Sequence, residues 1–310
     1  MRLAVAALAW ALGTAQPARA ADHFRVILDW FVNPNHAPVL VALQTGAYAA
    51  EGLDVELIPP TDATIGPKLV AAGQGDVALT AEPQFLEQVA AGLKLVRIGV
   101  LIDKPLSTLV ALQDAGIKQL SDLRGKTIGY GSGEVERVMV GVLLHSAGLS
   151  VADVQMVQIG EQLSLALLSH QIQAVSVYRN FEPIELQQHG AATIGFDYES
   201  YGVPSFDELI LVAKPHDAAD TRQARFLRAT TRGLAYLHAH PAESWQLIRK
   251  AYPDLDNTLN QLAWTATLPY FASSAAEVDE ARYNVFEQFL YDRHLIAKLA
   301  PTESYIERLR

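Results

Sequence analysis

DHFRVILDWFVNPNHAPVLVALQTGAYAAEGLDVELIPP, residues 22–60, reads as a strand, a polar turn, a helix and a second strand. The first strand covers 24–28, where Val26 and Ile27 are β-branched. A helix over 37–50 places Leu40, Leu43 and Ala47 on one face. Gly52 marks its stop, because glycine tolerates the positive φ of a helix end. A strand over 55–58 closes at Pro59-Pro60, a helix over 65–72 ends near Gly73 and Gly75, and DVALT (76–80) is a third strand.

The same order recurs further along the chain. KTIGY (126–130) is a strand, 134–147 a helix ending at Gly148, 154–159 a strand, 163–169 a helix and AVSVY (174–178) a strand. Strands alternating with helices predict parallel sheets, and two such units predict two α/β lobes. LVAL (109–112) and LILVA (209–213) are apolar strands placed to cross between the lobes. Residues from about 219 onward are helical in pattern, with starts near Thr221, Pro241, Leu259 and Ala276. This tail is expected to pack on the first lobe. The division predicted is 1–20 a signal peptide, 21–110 with 205–310 a discontinuous first lobe, and 111–204 an inserted second lobe.

Length and composition agree with two domains: 310 residues, 50% hydrophobic and 19% charged. The absence of cysteine excludes disulfides, thiolate zinc sites, iron–sulfur clusters and a cysteine nucleophile. A net charge of -10 makes nucleic acid an unfavourable partner. MRLAVAALAWALGTAQPARA has one charge ahead of an apolar run that is too short to span a bilayer, then Ala18-Arg19-Ala20. Export with cleavage after Ala20 is expected. No cysteine follows to take a lipid, so the mature chain would be free in the periplasm.

In open α/β sheets a ligand sits beyond the carboxyl ends of the strands. Those ends deliver Asp29-Trp30-Phe31-Val32-Asn33-Pro34-Asn35-His36, Ala81-Glu82-Pro83-Gln84 after the third strand, Gly131-Ser132-Gly133-Glu134-Val135-Glu136-Arg137 in the second unit, and Tyr178 with Arg179-Asn180-Phe181-Glu182 at its last strand. Trp30 suits either a core or a stacking platform, and its polar loop favours the platform. His36 suits ligand contact or a turn hydrogen bond. Glu82 and Glu182 each precede a proline, as a turn acid or as an acceptor for a ligand amine. Gly131-Ser132-Gly133 suits a tight turn or an anion held on amides, without the lysine of a nucleotide loop. Tyr201-Gly202-Val203-Pro204 suits a closing turn or a linker. Acids outnumber bases in these loops, and carboxylates accept hydrogen bonds while aromatics stack on flat rings. A flat, amine-bearing heterocycle fits better than a phosphate or a sugar.

DWFVNPNHAPVLVALQTGAYAAEGLDVELIPP (29–60) resembles the family of thiamine pyrimidine-precursor-binding proteins, as do GKTIGYGSGEVERVM (125–139), YRNFEPIELQQHG (178–190), YGVPSFDELIL (201–211) and FLYDRHLIAKLAPTESYI (289–306). These are periplasmic components of ABC importers, related to the fungal pyrimidine-precursor synthases and to binders of sulfonates, nitrate or riboflavin-like rings. The resemblance implies a two-lobed type II periplasmic-binding-protein fold, an aminopyrimidine ligand, an inner-membrane ABC permease as partner, a monomer, and no cofactor, metal or catalytic residue. It also implies that Trp30 stacks on the ring, with Asn35, His36, Glu134, Asn180, Glu182 and Tyr201 at the polar positions of the cleft. Ala81 departs from the aromatic that relatives often place there. The fungal enzymes use a cysteine-rich iron motif and a pyridoxal-phosphate lysine, and this chain has no cysteine. A riboflavin-like or sulfonate ligand, and less readily a synthase, stand as alternatives. A triad of His36, Asp29 and Ser132 lacks any Gly-x-Ser-x-Gly elbow. His238 and His240, two apart, would lie on different faces of a helix and suit a metal poorly.

Overall fold

The computed structural model describes residues 20–62, 64–131, 133–160, 162–215 and 220–309. The expected signal peptide therefore lies outside the described residues, save Ala20. Along the chain run β1 (Asp22–Ile27), β2 (Leu53–Ile58), β3 (Val77–Thr80), β4 (Val96–Ile102), β5 (Ser107–Leu112), β6 (Thr127–Tyr130), β7 (Gln155–Gln158), β8 (Ala174–Tyr178), β9 (Thr193–Asp197) and β10 (Leu209–Ala213). They form two five-stranded sheets, ordered β2-β1-β3-β10-β4 and β7-β6-β8-β5-β9. The two sheets thus share one topology, as the repeated unit implied.

Within each sheet the repeated unit supplies three parallel strands: β1 pairs with β2 and β3, and β6 with β7 and β8. The sheets are mixed rather than wholly parallel. β10 runs antiparallel to β3 and β4, and β5 antiparallel to β8 and β9. Each of these strands follows a strand of the other sheet with no crossover helix to reverse the chain, so it enters in the opposite direction. All residues of β4, β5 and β10 are buried, which explains why they are mostly apolar and do not alternate, Arg97 and the Ser107-Thr108 pair excepted.

The helix expected over 37–50 is broken. Ala37–Gln44 ends at Thr45, Gly46 takes φ 75, and a short turn Ala47–Ala50 follows. A left-handed residue stops a helix, and glycine adopts that conformation without a Cβ penalty. Two helices not foreseen begin at the Glu-Pro pairs, Glu82–Ala90 and Glu182–Gln188. Proline is favourable in a first helical turn, where its missing N–H has no partner to lose. β4 and β9 were also unforeseen. The tail forms helices Arg222–Ala239, Pro241–Ala251, Thr258–Thr267 and Glu280–Asp292.

The helix Arg222–Ala239 lies against Ala37–Gln44, and Phe226 stacks between Phe24 at 4.8 Å and Tyr48 at 5.1 Å. Gly233 permits the close approach, because a Cβ there would stand 2.5 Å from the Pro38 carbonyl oxygen. Thr258–Thr267 packs on both the turn Pro34–His36 and the helix Glu182–Gln188. It therefore touches the segments that follow β1 and β8. Among the described residues no helix is long and apolar enough to cross a membrane.

Candidate functional site

The carboxyl ends of β1, β3, β6 and β8 and the amino ends of β5 and β10 surround one cleft of about 350 Å³. Six of the sequence-predicted residues line it: Asp29, Trp30, Asn35, Gly131, Tyr178 and Glu182. Gln84 and Glu136, which stand in the same strand-end stretches but were not singled out, also line it, and Asp62, Thr80, Ser107, Ser176, Phe206 and Glu208, which that reading missed, join them.

The β1 loop is held by its own side chains. Asn33 caps the turn Pro34–His36, with its side-chain oxygen accepting the Asn35 N–H at 2.9 Å. His36 is fully buried beneath the loop. Its Nδ1 accepts the Asn33 N–H at 3.3 Å and its Nε2 lies 2.6 Å from Asp29 Oδ1. An accepting Nδ1 leaves the ring proton on Nε2, so His36 donates to Asp29. His36 thus orients a cleft carboxylate instead of lining the cleft. Trp30 is half-buried, 5.6 Å from the exposed Phe31 ring, and belongs to the cleft wall rather than the core.

Asn35 joins the two lobes. Its Oδ1 accepts from Asn180 Nδ2 at 2.7 Å, and the same Nδ2 lies 2.7 Å from Thr267 Oγ1. Asn180 is 2% exposed, and its Oδ1 has no partner among the described residues. It is a bridge behind the cleft, not part of its lining.

Two cleft carboxylates are held at their edges by backbone amides. Glu182 Oε2 accepts the Tyr178 N–H at 3.0 Å, and Glu208 Oε2 accepts those of Leu106 at 2.6 Å and Ser107 at 3.1 Å. Burial pushes each up to about 7, with the amide hydrogen bonds opposing. Burial also pushes the Tyr178 hydroxyl far up, reinforced by the charges of Glu208, Asp29, Glu136 and Glu182. Four carboxylates from different segments therefore converge around one phenol.

The remaining predicted residues lie elsewhere. Glu82 is fully buried and turned away from the cleft, where its Oε2 accepts the Asp207 N–H at 2.7 Å while Asp207 O accepts the Glu82 N–H at 3.0 Å. Burial raises the Glu82 carboxyl well above the ordinary range, and the adjacent Asp207 raises it further. Asp207 in turn accepts from Tyr283 OH at 2.9 Å and pairs with Arg97 and Arg282. Glu82 therefore fixes the segment that carries Phe206 and Glu208. Glu134 is exposed and paired with Arg137 at 2.9 Å, which lowers its carboxyl. Gly133, at φ 86, precedes that helix outside the cleft lining. Tyr201 packs edge-on against Phe196 at 6.0 Å. Ser132 lies outside the described residues. His238 Nε2 bonds the Ala272 carbonyl at 2.8 Å, and His240 packs on Tyr236.

Residues 33–244 match the family model described as NMT1/THI5 like. The chain belongs to the NMT1/THI5-like family. Within reach of this family lies a Haemophilus influenzae protein named for thiamine biosynthesis, 41% identical over 291 residues and 93% of each chain. The 4-amino-5-hydroxymethyl-2-methylpyrimidine phosphate synthase of Legionella pneumophila is 30% identical over 258 residues, 82% of this chain and 81% of its own. The formylaminopyrimidine-binding protein of Halalkalibacterium halodurans is 29% identical over 238 residues, 76% of this chain and 72% of its own. In three dimensions the NMT1/THI5-like chain matches the alkanesulfonate-binding protein SsuA of Xanthomonas axonopodis pv. citri, with a TM-score of 0.72 at 15% identity over 94% of this chain and 100% of the other. The fold is that of the periplasmic binding proteins.

Proposed function

We propose that this protein is the periplasmic binding component of an ABC importer and captures a pyrimidine precursor of thiamine between its lobes. The observation that carries the reading is the composition of the cleft wall. Trp30 lines it together with five acids, Asp29, Asp62, Glu136, Glu182 and Glu208, and no Lys, Arg or His stands among the described lining residues. A flat ring stacks on an indole, and ring amino groups donate to carboxylates. The printed name of the Halalkalibacterium relative supports the same ligand class. Asp29, Trp30, Asn35, Gly131, Tyr178 and Glu182 are the proposed contacts, with His36 and Asn180 positioning Asp29 and Asn35.

The same wall speaks against an alkanesulfonate, whose oxygens need donors and positive charge. It also offers no lysine for a Schiff base, which supports capture without catalysis against the synthase reading suggested by the Legionella relative. Secretion through residues 1–20, delivery to a permease as a monomer, and freedom from a lipid anchor complete the proposal.

The test is a thermal-shift panel on residues 21–310, refolded to strip carried ligand. It would contain hydroxymethyl-, aminomethyl- and formylaminomethyl-pyrimidines, riboflavin and an alkylsulfonate. A ligand at about 100 times its Kd adds roughly 2.7 kcal/mol, a rise of several degrees. A shift with riboflavin or the sulfonate, and none with the pyrimidines, overturns the ligand. Turnover of a pyrimidine by the purified chain overturns the binding role.

A further inference from the structure

We propose that the cleft selects its ligand by charge, preferring a pyrimidine whose side arm is a protonated aminomethyl group over pyrimidines of similar shape with neutral arms. This rests on the pyrimidine reading and concerns the arm alone.

The five lining acids come from five segments: the β1 loop, the turn after β2, the helix Glu134–Ser146, the helix Glu182–Gln188 and the residue before β10. The groups fixing four of them are neutral. His36 donates its ring N–H to Asp29, Thr64 donates to Asp62, Tyr178 to Glu182, and Leu106 and Ser107 to Glu208. Such partners set direction without cancelling charge. Two arginines, Arg179, whose charge also reaches Glu208, and Arg137, are paired with other acids. Arg179 reaches Glu199 at 2.7 Å and Asp197 at 3.2 Å, and Arg137 holds Glu134.

A second observation comes from the opposite wall. Thr80 ends β3 and lines the cleft at 4% exposure. Four residues on, Gln84 Oε1 is buried beside the same cleft, without a partner among the described residues. Gln84 Oε1 thus adds an unpaired acceptor to the carboxylates that line the cleft. An ammonium group has three donors and no acceptor. A hydroxymethyl group brings one donor and two lone pairs, and no charge. Hydrogen bonds from a charged donor to a carboxylate are about twice as strong as neutral ones, and the desolvation of the acids has already been incurred in folding.

Calorimetry on residues 21–310 tests this with four probes: the aminomethyl-, hydroxymethyl- and formylaminomethyl-pyrimidines, and benzylamine. The aminomethyl compound should bind at least about tenfold tighter than either neutral pyrimidine. Glu182→Gln and Glu208→Gln, each confirmed folded by circular dichroism, should weaken the aminomethyl compound more than the hydroxymethyl one and so lower that ratio severalfold. Neutral pyrimidines binding as well as the amine, or a ratio unchanged in both variants, overturns charge selection and leaves the pyrimidine reading intact. Benzylamine matching the aminomethyl compound, with the neutral pyrimidines silent, keeps charge selection and overturns the pyrimidine reading. No binding by any probe overturns both.

Discussion

Replacing Glu208 by glutamine should make the ligand-free protein more stable at alkaline pH and change little at acidic pH. Glu208 is 4% exposed, and burial lifts its carboxyl above the ordinary range despite three hydrogen bonds from Leu106 and Ser107. The rise from 4.5 to about 7 corresponds to about 3 kcal/mol. The sign follows from proton binding. Between those two values the folded chain holds a proton that the unfolded chain has released, so stability falls as pH rises through this window. Above about pH 7 the full cost of the buried charge is present. Glutamine mimics the protonated acid in shape, keeps an oxygen for the Leu106 and Ser107 amides, and does not ionise. At about pH 8 the variant should therefore melt higher by about 5 °C, while at about pH 5 the two melting curves should nearly coincide. Glu82, Glu182, Asp207 and Glu287 are raised in the same direction, so the wild-type curve should fall more steeply than Glu208 alone requires. The difference between the proteins isolates position 208. The assay is a pair of thermal melts at each pH on stripped protein. A variant shifted equally at both pH values, or destabilised at the higher one, refutes the reasoning.

Other substitutions probe separate parts of the molecule. Trp30→Ala should weaken pyrimidine binding about tenfold without unfolding a half-buried position, and unchanged calorimetric affinity would remove the stacking role. Asn180→Ala deletes the 2.7 Å bonds to Asn35 and Thr267 and should cost about 1–3 kcal/mol in urea unfolding. A neutral result there would mean that the interlobe bridge contributes nothing to stability. Gly233→Ala drives a Cβ to 2.5 Å from the Pro38 carbonyl, so the helix Arg222–Ala239 must shift. The variant's unfolding free energy should fall by about 2 kcal/mol or more, and wild-type stability would show that the helix pair is not tightly packed.

Much of this was legible because parallel strands and their helices leave a strong local pattern. The repeated unit located β1, β2, β3, β6, β7 and β8 to within a few residues, and their trailing loops contributed Asp29, Trp30, Asn35, Gly131, Tyr178 and Glu182 to one cleft. Several of the misses, Ser107 and Glu208 among them, share a geometric origin. Reading only the residues that follow a strand suits parallel strands. β5 and β10 are antiparallel, so their amino ends reach the same edge, and Ser107 and Glu208 arrive ahead of the strand. Glu82 and Glu182 look alike as Glu-Pro helix starts, yet one turns into the Asp207 cluster and the other into the cleft. That choice depends on Arg97 and Arg282, distant in sequence, which gather around Asp207. Glu134 did carry a local warning: Arg137 stands one helical turn away and claims it. β4, buried throughout, shows none of the alternation that marks a half-exposed strand.

The exchange of a middle strand between sheets also orders the events of folding. The second sheet closes entirely from residues 107–197, whereas in the first sheet β3 and β4 wait for β10. As the chain emerges, Thr80 has no partner until Ile210 has been made, and the amino-terminal segment cannot complete its own sheet. Non-local pairing of this kind slows folding. Pulsed hydrogen exchange should accordingly show amides of β6 and β8 protected before those of β3, and the reverse order would refute this sequence of events. A chain built this way leaves its first sheet open at one edge until β10 has been made, so the amino-terminal strands reach their full pairing only after the second sheet can close.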